Sequence, residues 1–221
     1  ALEPSYTDTY YNLGTLFTEL GRLEEADSSY KKVLALEPEK FNGVYDRLGL
    51  LSQMAGKFEE AEAYYRKYLS LEPTDTKAHY NLGITLQELG RLREAEVSYI
   101  QAIELKSDFA EAQASLGNTL KKLGRLDDAE ASLRLAVTSN PNFAEANNNL
   151  GNILQELGRL DEAEASYTQA IASKPHYFKA HCNLGVTLQK MCRFDEAEAR
   201  YRKTIALKPD YAEAHNNLGA T

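Results

Sequence analysis

The pair Leu-Gly returns at Leu13-Gly14, Leu48-Gly49, Leu82-Gly83, Leu116-Gly117, Leu150-Gly151, Leu184-Gly185 and Leu218-Gly219, first after 35 residues and thereafter every 34. A fixed period of this size specifies stacked copies of one small unit, because a unit so short cannot bury its apolar face alone and does so against its neighbours. The chain therefore reads as one solenoid over 1–221, with full repeats at 7–40, 42–75, 76–109, 110–143, 144–177 and 178–211. A partial repeat follows at 212–221, and residues 1–6 read as the end of a preceding one. Function is expected along the extended surface of such a stack rather than in an enclosed pocket.

Each period carries the pattern of two helices. From Asp8 to Leu20, and from Ala144 to Leu157, apolar residues recur at spacings of three and four, which gives an amphipathic helix. A glycine then follows in most repeats (Gly21, Gly56, Gly90, Gly124, Gly158), suited to a helix end that needs positive φ. The second helix opens on carboxylates that complement its dipole, as in Glu24-Glu25, Asp127-Asp128 and Asp161-Glu162. It runs to about Leu36 or Leu207 and stops before proline, which disfavours helical geometry in the residue ahead of it. An alanine column (Ala26, Ala61, Ala95, Ala129, Ala163, Ala197) lets the paired helices approach closely. A tyrosine or leucine four residues on (Tyr30, Tyr65, Tyr99, Leu133, Tyr167, Tyr201) fills the space between them.

Taken together, Tyr10-x2-Leu13-Gly14-x2-Phe17, Ala26-x3-Tyr30 and Pro38 resemble the tetratricopeptide repeat signature, over essentially the whole chain. The resemblance implies an all-α, right-handed superhelical solenoid of helix-turn-helix repeats, and a protein-interaction scaffold rather than an enzyme. The strings Ala-His-x-Asn-Leu-Gly at 78–83, 180–185 and 214–219 look more narrowly like the repeats of O-linked N-acetylglucosamine transferases. That likeness implies an alternative role, the substrate-selecting arm of a larger glycosyltransferase-like enzyme. The chain departs from the family pattern three residues before Leu-Gly. There Tyr10 and Tyr45 give way to His79, Gln113, Asn147, His181 and His215.

The resemblance also places the binding surface, since in this family the first helix of each pair lines the concave face. One column on that helix reads Asn12, Arg47, Asn81, Ser115, Asn149, Asn183, Asn217, flanked by Asn118 and Asn152. A second, further along the helix, reads Thr18, Gln53, Gln87, Lys121, Gln155, Gln189. Asparagine is a mediocre helix former, so its repetition on a helix face calls for a cause. An amide carries both a donor and an acceptor and can pair with a peptide's C=O and N–H together. These residues, from Asn12 to Asn217 and from Gln87 to Gln189, are expected to hold an extended protein or peptide segment. The competing expectation is that the asparagines are solvated or bond to one another across repeats.

Other partners are disfavoured. A net charge of −8 argues against nucleic acid, which is held by a concentrated basic surface. No apolar stretch approaches the ~20 residues of a membrane span. The position one residue before the asparagine column holds Tyr11, Asp46, Tyr80, Ala114, Asn148 and Cys182. The family's carboxylate clamp needs lysine there, so capture of a free C-terminus is not expected. The charged column Glu88, Lys122, Glu156, Lys190 reads as ion pairing between repeats. Arg22, Lys57, Arg91, Arg125, Arg159 and Arg193 read as local partners of the first-turn carboxylates.

No catalytic, metal or cofactor site is expected. His79, His181 and His215 are spaced by the repeat and not by ligation geometry, and the glycines form no phosphate-cradling loop. Cys182 and Cys192 lie ten residues apart on one expected helix, about 15 Å, too far for a disulfide, and a cytoplasmic setting follows as the default. Cys192 stands in the glycine column, where positive φ would strain it by about 1 kcal/mol. The uncovered terminal surfaces add an expectation of end-to-end self-association.

Overall fold

A computed structural model describes residues 6–37 and 41–220. Among the described residues it is all helical, with no strand. The chain divides into two compact units, Ala1–Ser107 and Asp108–Thr221. The first contains α1 (Tyr6–Glu19), α2 (Leu23–Leu36), α3 (Gly43–Met54), α4 (Phe58–Leu71), α5 (Thr76–Glu88) and α6 (Leu92–Leu105). The second contains α7 (Ala110–Lys122), α8 (Leu126–Ser139), α9 (Ala144–Glu156), α10 (Leu160–Ser173), α11 (Phe178–Lys190), α12 (Phe194–Leu207) and α13 (Ala212–Gly219). The first helices thus lie within a residue or two of their expected bounds, and the second helices end at Leu36 and Leu207 as read from the sequence.

The turn inside each repeat closes in one way. After α1 the Gly21 N–H donates to Thr18 O at 3.1 Å and the Arg22 N–H to Phe17 O at 2.8 Å, which satisfies carbonyls that the helix end leaves open. This wrap turns Gly21 to φ 71°, and glycine adopts that without a side-chain clash. After α11 the same two bonds form, Cys192 N–H to Gln189 O at 3.0 Å and Arg193 N–H to Leu188 O at 2.9 Å, with Cys192 at φ 60°. Cys182 is buried in α11 whereas Cys192 is exposed in the turn beyond it, so the two do not share a helix, and both thiols are free.

Between the paired helices lie the alanine and tyrosine columns. Ala26, Ala61, Ala95, Ala129, Ala163 and Ala197 have no exposed surface, and Tyr30, Tyr65, Tyr99, Tyr167 and Tyr201 are among the largest fully buried side chains. Burying each ring contributes on the order of 2 kcal/mol, so this column is a main source of cohesion inside each repeat. Each second helix packs on the first helix of the next repeat within its unit. First helices also touch one another, α3 with α5 in the first unit, and α7 with α9, α9 with α11 and α11 with α13 in the second. That closeness makes the first-helix side of each unit its inner face. On the outer side of α1, Leu16 and Leu20 are 48% and 58% exposed, whereas Leu51, which stands in the Leu16 column, is 3% exposed against α2.

Candidate peptide-binding face

The residues singled out from the sequence fall on the first helices. In the first unit Asn12 and Arg47 are exposed on α1 and α3, while Asn81 and Gln87 are half-buried on α5. In the second unit Asn118 and Lys121 on α7, Asn149, Asn152 and Gln155 on α9, Asn183 and Gln189 on α11 and Asn217 on α13 are all half-buried.

Around α9 and α11 these amides form a network. The Asn183 amide donates to Asn148 Oδ1 and to Asn152 Oδ1, both at 3.0 Å, across 35 and 31 residues of sequence. Asn148, itself buried, donates to Asn149 Oδ1 at 3.4 Å. The expectation that the asparagines bond across repeats thus holds at Asn183, whose two donors are spent inside the protein.

A second regularity concerns amide oxygens. Tyr65 Oη donates to Gln53 Oε1 at 3.2 Å, Tyr167 Oη to Asn152 Oδ1 at 2.8 Å, Thr187 Oγ1 to Gln155 Oε1 at 2.8 Å and Tyr201 Oη to Gln189 Oε1 at 2.9 Å. Four amides therefore turn their oxygen toward a protein hydroxyl. Two-sided pairing of one amide with a peptide's C=O and N–H, expected from composition, is not what these four offer. Their oxygens are engaged, and among the described residues the –NH2 of Gln53, Asn152 and Gln155 has no protein acceptor.

The first unit presents a different inner surface. Arg47 hydrogen-bonds Tyr11, and Tyr11 stacks on Phe41 with ring centroids 5.7 Å apart. Burial pushes the Asp46 carboxyl above its usual range, with the neighbouring Arg47 charge opposing the shift. In the second unit Lys121 reaches Glu156 at 2.5 Å, so this carboxylate of the charge column pairs between repeats, with a lysine of the neighbouring amide row and not of its own column. This ties down one residue of the expected binding set.

On the opposite side the arginine column pairs locally, as expected, and also reaches between repeats. Arg22 binds Glu25, and Arg125 binds Asp128 at 2.7 Å. In the second unit Arg134 contacts Glu130 and Glu162, each at 2.8 Å, and Arg159 contacts the same two carboxylates at 2.7 Å, closing a ring of four charges between α8 and α10. Arg66, Glu62, Arg91 and Glu94 close the equivalent ring between α4 and α6. Burial opposes it, yet the two guanidiniums hold the Glu130 carboxyl below its ordinary value.

The polar residues that replace aromatics before Leu-Gly also have a local task. His79 Nε2 bonds Pro73 O at 2.9 Å, Asn147 Nδ2 bonds Pro141 O at 3.0 Å, His181 Nε2 bonds Pro175 O at 3.1 Å and His215 Nε2 bonds Pro209 O at 2.7 Å. Each ties the start of a first helix to the proline carbonyl six residues back, one that no helix satisfies. The constant spacing of six is visible in the sequence. No group of three or more His, Cys, Asp or Glu that could hold a metal occurs among the described residues. Burial pushes the Cys182 thiol up to about 12, which keeps it protonated. No helix among the described residues is long and apolar enough to cross a membrane.

Comparison with known proteins agrees with this geometry. Sequence profiles described as tetratricopeptide repeat match residues 7–40, 53–116, 110–143 and 142–210. No curated protein matches the chain by sequence. Among solved structures, a chain described as YrrB, a TPR protein with an unusual peptide-binding site, is 26% identical, with 85% of this chain and 96% of that chain covered at a TM-score of 0.69. A MamA chain is 25% identical, covering 79% of this chain and 95% of that chain at 0.70. The Pseudomonas aeruginosa protein pilF is 18% identical and shares the fold over 97% of both chains, at 0.82.

Proposed function

Because the chain belongs to the tetratricopeptide repeat family, we propose that it is a protein-interaction scaffold whose first helices hold an extended segment of a partner protein. The observation that carries this reading is the row of half-buried amides on α9, where Asn152 and Gln155 keep –NH2 groups without a protein acceptor. Adjacent helices pack ~8–10 Å apart and an extended chain advances ~3.3 Å per residue, so each repeat meets about three residues of ligand. The peptide-binding site named for YrrB, on a chain 26% identical, supports the same class of ligand. The set proposed to meet it is Asn12, Arg47, Asn81 and Gln87 in the first unit and Asn118, Lys121, Asn149, Asn152, Gln155, Gln189 and Asn217 in the second, with Asn183 supporting Asn152 from within the protein. Two free thiols suit a reducing compartment such as the cytoplasm.

Selection from a phage-displayed library of 12-residue peptides, followed by crosslinking of the tightest binder, tests the reading. Crosslinks are expected on first helices, and crosslinks confined to the second-helix faces would overturn it.

Two further readings have their own observations. The Asn-Leu-Gly strings favour a substrate-selecting arm of a glycosyltransferase-like enzyme; a nucleotide-sugar-binding domain in the same polypeptide would carry that reading. Exposed Leu16 and Leu20 favour end-to-end self-association, and Leu16→Glu should then lower the mass that light scattering records at high concentration.

A further inference from the structure

Three of the buried tyrosines donate to amide oxygens of the inner face, while Tyr30 meets the Thr15 hydroxyl and Tyr65 is also hydrogen-bonded by Asn81. Tyr65, Tyr167 and Tyr201 belong to the packing column of the core, yet each phenol extends past the first helix to an amide oxygen on its inner face, at Gln53, Asn152 and Gln189. At Asn152 the second lone pair of the same oxygen is taken by Asn183. With both lone pairs occupied, that amide is held at its oxygen and directs its –NH2 away from the core, toward the inner face. Burial raises the Tyr167 phenol above its usual range and pushes Tyr201 up to about 12, so both hydroxyls stay protonated and remain donors.

We propose that Tyr65 and Tyr167 are positioning residues for ligand binding: their hydroxyls orient Gln53 and Asn152 with N–H outward, so the face recognises the carbonyl oxygens of an extended peptide and not its N–H groups. Gln189, held at its oxygen by Tyr201, turns its own N–H to Ala220 O. The inference rests on the reading of the inner face as a peptide site. An amide free to rotate gives up orientational freedom on binding and presents its oxygen as often as its nitrogen. One fixed by a phenol offers a preset donor, which lowers the entropy lost when a carbonyl arrives. Repeat 110–143 supplies an internal contrast. Leu133 replaces the tyrosine there and packs on Gly117, so Asn118, which stands in the Asn152 column, has no phenol to orient it.

The test uses the whole chain and the tightest 12-residue peptide from the phage selection. Tyr167→Phe keeps the ring and deletes only the hydroxyl. It is expected to weaken peptide binding about tenfold, with helicity retained by circular dichroism and with the Asn152 side-chain amide signals moved toward random-coil positions in a nitrogen-15 spectrum. Leu133→Tyr is expected to tighten binding about threefold, a gain that a purely structural tyrosine would not give. Peptides in which alternate amides are replaced by esters lose N–H and keep C=O, and are expected to bind within about threefold of the parent.

Binding within twofold of wild type by folded Tyr167→Phe overturns the positioning role, and a loss beyond threefold with the ester peptides overturns the carbonyl preference. A wild-type chain that enriches no peptide removes the binding face itself and this inference with it. Tyrosine variants that bind normally, with wild-type binding intact, remove only the inference.

Discussion

Tyr167 lies so close over Gly151 that a Cβ added to the glycine would stand 2.6 Å from the ring's Cε1. The ring is fully buried and cannot swing aside, so the glycine is a condition of the tyrosine's position. Gly151→Ala is expected to destabilise the protein by about 2 kcal/mol through forced repacking, and chemical denaturation would measure the loss. Unchanged stability would mean that the helices separate without cost, against the tight packing described here.

The turn after α11 gives an effect of opposite sign. Cys192 holds φ 60° in a position where the other repeats use glycine. Relief of that strain outweighs the extra chain entropy of glycine, so Cys192→Gly is expected to stabilise by about 0.5–1 kcal/mol. For a chain of this length the melting temperature should then rise by roughly 1–4 °C, readable by calorimetry. A fall would show that the thiol makes a contact worth more than the strain.

His181 links folding to pH. Burial lowers its pKa below the ordinary histidine value, the bond to Pro175 O opposes this, and the charges of Arg200, Lys203 and His176 add to the lowering. The unfolded chain therefore takes up the proton first. Stability should decline as pH falls through about 6.5 and keep declining until the folded-state histidine also titrates. Asn147 makes the equivalent proline contact without a titrating group, so His181→Asn should keep the tie and flatten this acid slope. Parallel denaturation curves at pH 7.5 and 5 for the two proteins check it; equal slopes would remove the assignment.

The asparagine column should divide in two. Asn183 spends both donors on Asn148 and Asn152, so Asn183→Ala leaves polar acceptors short of partners and should cost about 1–3 kcal/mol. Asn149 only accepts a long bond from Asn148, so Asn149→Ala should leave stability unchanged or slightly raised, alanine being the better helix former, while weakening peptide binding. Thermal melts of the two single variants, read beside binding of the selected 12-mer, separate a structural asparagine from a ligand-facing one.

The repeat period, the helix pairs and the glycine turns were legible because each is written in local spacing: Leu-Gly at 34, Gly21 after α1, proline after α2. That the asparagine and glutamine columns lie on first helices was legible for the same reason. What each amide does there was not. Asn149 and Asn183 occupy one column and look equivalent in sequence, yet Asn183 reaches back 31 and 35 residues to its acceptors, a distance set only when α9 and α11 are packed together. Ion pairing of Glu156 between repeats was legible, but its partner, Lys121 rather than a lysine of its own column, was not, since the choice depends on helix rotation. The ties from His181 to Pro175 and from Asn147 to Pro141 had a visible signal, a constant spacing of six, that points to no obvious chemistry until the helix ends are placed.

The ring of Arg134, Glu130, Arg159 and Glu162 bears on how the second unit yields to force. Bending a stack of helices changes the separation of its two edges unequally. The inner edge is packed side chain against side chain, with Asn183 bonded to the helix before it, and cannot shorten without overlap. The outer edge is joined by charges on long flexible stems, attractions that fall off gradually with distance and can lengthen or exchange partners at little cost. Flexing therefore meets least resistance along that outer edge, with the ring acting as a compliant spring between α8 and α10. Its stiffness is electrostatic and is screened by mobile ions. Salt concentration thus sets how far the unit flexes well below any concentration that would unfold it.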